Sequence, residues 1–123
     1  MEELGDAVPV KTVICLESTP ARIALFQTRA FARSVVVRMQ PKHPDGRIAG
    51  CFAAHQDMWR YGESVAPDAA QLCFEVDATW STAGRDPARR AAASRAVLEL
   101  MERDAAWDVI ALGGTPLAWH SGE

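Results

Sequence analysis

The chain is poor in cysteine, with Cys15, Cys51 and Cys73 the three present among 123 residues. An odd number at wide spacings, with no Cys-x-x-Cys pair, argues against a disulfide framework and against the common structural zinc motifs. Each lies in a stretch read as strand, where a free thiol packs as a small hydrophobe. Long apolar runs are missing as well. Val35-Val36-Val37 is typical of what is found, whereas a bilayer span needs about 20 apolar residues. The opening Met1-Glu-Glu-Leu-Gly-Asp6 is acidic and has no apolar core of a secretion signal. These absences lead to the expectation of a cytoplasmic chain that contacts no membrane.

Histidine is scarce too, limited to His43, His55 and His120. The sequence holds no His-Glu-x-x-His, calcium loop, Gly-x-Ser-x-Gly or Gly-x-x-x-x-Gly-Lys, so no familiar catalytic or phosphate-binding set is present. The expectation is a chain without a cofactor and without a recognisable enzymatic motif. A basic excess is also lacking. The net charge of −3 opposes nucleic-acid binding, which draws its affinity from neutralised phosphates.

What is there is the composition of an ordinary globular protein, 49% apolar and 24% charged. The length suits one domain over residues 1–123, with residues 1–9 expected as a frayed lead-in. From Gln71 to Trp80 the sequence alternates cleanly. Leu72, Phe74, Val76 and Ala78 fall on one side, and Cys73, Glu75 and Asp77 on the other. Asp86-Pro87 then caps a helix running to Asp104, with an apolar stripe at Ala93, Val97, Leu100 and Met101.

Upstream, Val10 to Glu17 reads as a strand and Pro20 to Arg33 as a helix. Ser34 to Gln40 reads as a second strand, turning through Pro41-Lys-His-Pro-Asp-Gly46 into a hairpin partner at Arg47 to His55. Gln56 to Ala70 reads as irregular apart from one helical turn near Asp57 to Tyr61, and Trp107 to Leu112 as a last strand. This order predicts an α+β fold: a small mixed or antiparallel sheet with two helices on one face, a ferredoxin-like sandwich. Edge strands of such a sheet can be covered by another copy, which makes a homo-oligomer plausible.

Two sets of residues stand out. Glu75 and Asp77, two apart on the polar strand face, could hold a small ligand or a hard cation together with His55. Trp59, Arg60 and Tyr61 combine the residue types enriched at interface hot spots, and Arg89 and Arg90 sit in the first turns of the last helix, where they oppose its dipole. Between Ser18 and Pro44 the charge is all basic, with Arg22, Arg29 and Arg33 on one helical face if residues 20–33 are helical. The first expectation is a regulatory or inhibitory module acting through a protein partner. The second is a small-ligand or divalent-metal-binding oligomer, with catalytic activity left open, and the third is RNA binding through the arginines.

Two fragments resemble known families. Arg89-Arg-Ala-Ala-Ala-Ser-Arg-Ala96 resembles the last helix of double-stranded RNA-binding domains, although two arginines stand where that family clusters lysines. Trp59-Arg-Tyr-Gly62, Val109-Ile-Ala-Leu112 and Leu117-Ala-Trp119 resemble the trimeric divalent-cation tolerance family. That resemblance implies a ferredoxin-like trimer, but Val35 to Val37 lacks the family's cysteine. Neither fragment identifies the chain as a member.

Overall fold

A computed structural model describes residues 2–104 and 106–113. Its centre is β1, Val10–Leu16, a run rich in β-branched residues that is buried on both sides. On either flank lies a shorter strand, β2 (Val36–Gln40) and β3 (Gln71–Glu75). Both pair with β1 in parallel, so Thr12 stands opposite Val36 on one side and Cys73 on the other. The sheet order is β2-β1-β3. Parallel neighbours need crossovers, and helices supply them: α2 (Ala21–Thr28) from β1 to β2, and α3 (Arg47–Val65) from β2 to β3. A short α1 (Glu2–Ala7) precedes the sheet, and α4 (Pro87–Arg103) follows β3 after a single 3-10 turn.

Helices cover both faces. Val13, Cys15, Leu72 and Phe74 face α1, α2 and α4 in the larger core, which includes Leu4, Val8, Phe26 and Phe31, with Val97 and Met101 packed against it. Phe26, Phe31 and Phe74 meet pairwise, with ring centroids 5.3 to 5.5 Å apart. On the opposite face α3 lies alone among the described residues, packing Ala54 and Met58 onto Ile14 and Cys73.

The sheet is therefore parallel and the antiparallel ferredoxin-like sandwich is corrected, as is the ferredoxin-like plan implied by the resemblance to the divalent-cation tolerance family. The reason lies in residues 47–55. They begin a 19-residue helix rather than a hairpin strand, and a helix between β2 and β3 returns the chain to the same end of the sheet. Gly46 starts it with φ of 98°, a backbone that side chains with a Cβ adopt only under strain. Gly62 lies so close to β3 that a Cβ there would collide with the Gln71 side chain.

Other expectations shift in detail. Residues 2–7 are helical, with Leu4 only 2% exposed, so the lead-in is part of the core. Strand β3 stops at Glu75, where the Ala78 N–H turns back onto the Glu75 carbonyl. Asp77 thus leaves the strand face. Asp86 caps α4 as expected, accepting from the Ala88 N–H at 3.0 Å. The buried stripe of that helix, however, passes through Ser94, not the exposed Ala93. Residues 107–112 form no strand, and Leu117-Ala-Trp119 and His120 lie outside the described residues. Among the described residues no helix is long and apolar enough to cross a membrane.

Candidate functional site

Side chains of helix α3 reach both outer strands, and its two flanks differ. Over β2, Arg38 meets Asp57 through two hydrogen bonds of 3.1 and 2.9 Å, and Gln40 donates to the same carboxylate at 2.8 Å. The Arg38 guanidinium also lies 4.6 Å from the Tyr61 ring centre. The hydrogen bonds from Arg38, joined by Gln40, hold the Asp57 carboxyl below its usual value against the opposing cost of partial burial. This flank is a satisfied clamp between helix and edge strand.

Over β3 the arrangement is open. His55 Nε2 lies 3.1 Å from Glu75 Oε1. The other ring nitrogen, Nδ1, is 2.8 Å from the Cys51 carbonyl oxygen and 3.6 Å from the Cys51 thiol. A carbonyl oxygen only accepts, so Nδ1 carries the hydrogen. In the neutral ring Nε2 then presents a lone pair to a carboxylate oxygen. Two acceptors at that distance call for a positive charge between them, a proton or a metal ion. Cys51 decides the chemistry on offer, because one donor atom each from Cys51, His55 and Glu75 lie within 4.8 Å of one another.

Local structure explains the gathering. Cys51 and His55 are four residues apart on a helix and so share a side. Glu75 is the last residue of β3, on the face that carries Cys73. The chain enters α3 from the carboxyl end of β2, which sets the first half of the helix beside the carboxyl ends of the strands. Open parallel sheets bind ligands outside those ends, where successive crossovers take opposite faces.

The structure thus brings together His55 and Glu75 from the expected ligand set and leaves Asp77 exposed outside their group. Cys51 was missed, because a strand reading hides a Cys-x-x-x-His pair that a helix reading displays. Cys73, on the same face, offers little as a donor. Burial pushes its thiol up, against a partial opposing effect from the Thr12 hydroxyl, which donates to its sulfur at 3.8 Å.

The expected partner-binding residues separate. Trp59 is 51% exposed, its ring 5.9 Å from that of His55, and Arg60 is exposed, whereas Tyr61 is engaged by Arg38. Arg89 lies 3.8 Å from Asp86. Arg90 is occupied within the fold, stacking 4.9 Å from the Trp80 ring and donating to the Gly84 carbonyl. The basic face of residues 20–33 does not form, since α2 ends at Thr28. Arg29 instead donates to the Val76 and Ala78 carbonyls, and Trp80 donates to the Arg29 carbonyl. A cavity of about 220 Å³ between Phe26, Phe31 and Val35 lies apart from the His55 group and falls below the size of common small-molecule sites.

Comparison with protein-family models, curated proteins and solved structures finds no match.

Proposed function

We propose that this chain is a small α/β metal-binding protein whose centre, formed by Cys51, His55 and Glu75, takes a divalent transition ion of the zinc type. The observation that carries this reading is the orientation of His55. Its Nδ1–H donates to a backbone carbonyl, the outer hydrogen bond by which metal-binding histidines are held with Nε2 free for the ion. Beside that nitrogen stand a carboxylate and a thiol, the other two donor types that zinc accepts. Ligands around a tetrahedral ion at these bond lengths are separated by roughly 3.3 to 3.7 Å. The His55 to Glu75 distance of 3.1 Å is already close to that, and rotation of the exposed Cys51 side chain brings the thiol in. Three protein donors leave one position open, the pattern of sites where the ion also meets water or a ligand.

The test is metal binding by the full chain after chelation, using cobalt as a coloured substitute for zinc. One ion per chain is expected, with an ultraviolet sulfur-to-cobalt band that Cys51→Ser abolishes. His55→Ala and Glu75→Gln weaken binding, and Asp77→Asn leaves it unchanged. Absence of stoichiometric binding, or binding indifferent to His55→Ala, overturns the reading and assigns the charge between His55 and Glu75 to a proton. The protein-partner reading retains one supporting observation, the exposed apolar side chains of α3, of which Trp59 is one.

A further inference from the structure

Strand β3 is an edge. Its inner side pairs with β1, and among the described residues its outer side has no strand partner. Native edges are commonly blunted by lysine, proline or a bulge. The other edge strand, β2, carries Arg38 and runs into Pro41-Lys42, whereas β3 reads Gln-Leu-Cys-Phe-Glu, without lysine, arginine or proline and with its one charge, Glu75, at the carboxyl end. Above this unprotected edge, Ile48, Phe52 and Trp59 of α3 are 88%, 63% and 51% exposed. Offsets of 4 and 11 residues place them within roughly 40° of one another on the helix. Their line lies on the β3 side, because His55 on the same line reaches Glu75 and Gln71 donates to the Trp59 carbonyl at 3.1 Å.

A right-handed parallel crossover through α4 does not reach this edge. A parallel strand reached through α4 and placed beyond β3 continues the sheet in the direction already taken from β2 to β3. A right-handed crossover then requires α4 on the face of α3. Helix α4 packs on the opposite face, so that connection would have the hand that crossovers almost never take.

We propose that a second copy of this chain covers the edge, with β3 pairing antiparallel to β3 about a two-fold axis normal to the sheet. Rotation about such an axis leaves the faces unchanged, so both α3 helices stand on one side of a continuous sheet. Each copy's Ile48, Phe52 and Trp59 then meet the other's, apolar against apolar, while the strands exchange their free N–H and C=O groups. A two-fold interface must be self-complementary, and an unprotected strand with an apolar helix flank beside it satisfies that from one surface. Glu75 ends β3, so the two candidate metal sites fall at opposite ends of the seam and the pairing needs no ion.

The test is the mass of the full chain in solution, measured by light scattering and sedimentation equilibrium with a chelator present. A dimer is expected, with slow amide exchange over residues 71–75. Phe52→Lys weakens it on the order of 100-fold and Ile48→Lys on the order of tenfold. Ile48 is so exposed that its substitution leaves folding intact, which circular dichroism checks for both variants. A monomer at the highest soluble concentration overturns the proposal, as does a dimer that both substitutions spare. A dimer that forms only with zinc overturns it in favour of bridging by the ion, and a dimer in chelator without any metal binding sustains it while the metal reading fails.

Discussion

The two flanks of α3 use similar materials for different ends. Over β2, a carboxylate, a guanidinium and an amide satisfy one another, and Tyr61 closes the group with an aromatic face. Over β3, a carboxylate and an imidazole face each other beside a thiol, with uncovered Ile48, Phe52 and Trp59 along the same side. The first group has matched donors to acceptors and has little left to offer. The second needs a proton or an ion between His55 and Glu75 and has apolar side chains left exposed beside it. A structural group and a binding group can therefore be told apart by what remains unmatched, even where the residue types overlap.

The largest expected effect is on metal binding. His55→Ala weakens zinc affinity by on the order of 100-fold or more, since loss even of an outer partner costs 10- to 100-fold. Asp57→Asn, two residues away on the other flank, leaves that affinity unchanged. Titration of both variants against a competing chelator checks the contrast. Equal losses would mean that the flanks are not independent.

Next comes the residue both flanks rest on. Met58 is 1% exposed and packs α3 onto Ile14 and Cys73. Met58→Ala costs about 2 to 3 kcal/mol of stability, from lost burial and the cavity left behind, and urea unfolding measures it. Because the helix loosens as a whole, zinc binding weakens with it, which separates this platform from the clamp.

What the sequence made legible follows from which residues signal through local periodicity. Leu72, Phe74 and Val76 are buried and Asp86 caps α4, since alternation and a side-chain cap act over a few residues. Glu75 and His55 stood out by type, and the fold sets them together. Helix α3 was not legible because its buried positions are Ala54, Met58 and Gly62, too small and too few to mark a period. The exposed Ile48 and Phe52 imitated a strand instead. That one reversal carried the rest. With a strand in place of the helix the sheet had to be antiparallel, Cys51 looked like core, and Glu75 and Asp77 shared a face that the turn after Glu75 breaks.

The clamp itself is the third test. Arg38→Met removes both bonds to Asp57 and the cation over Tyr61, while Gln40 still donates to the carboxylate. Both partners are more than a third exposed, so solvent screens the pair and the loss is about 0.5 to 1 kcal/mol. The dimer and the metal site are expected to survive it. Loss of either would show that the β2 flank positions the β3 flank.

The smallest effect is on acid stability, and its sign follows from the clamp. Asp57 titrates below its ordinary value of 3.8 in the folded chain because Arg38 and Gln40 donate to its charged form. Its contribution is therefore complete above the unfolded value and is lost as pH falls through the lower folded one, a fraction of the loss in Arg38→Met at most. Asp57→Asn should flatten the fall in stability below about pH 4 without altering it at neutral pH beyond the cost of the pair. The β3 flank responds to acid by another route, since its donors must shed protons to take an ion, and zinc should leave as pH falls even in Asp57→Asn. Stability in chelator and zinc occupancy, followed across one acid titration, should thus separate in that variant. If the two curves stay locked together, a single group governs both flanks and the division between clamp and site does not hold.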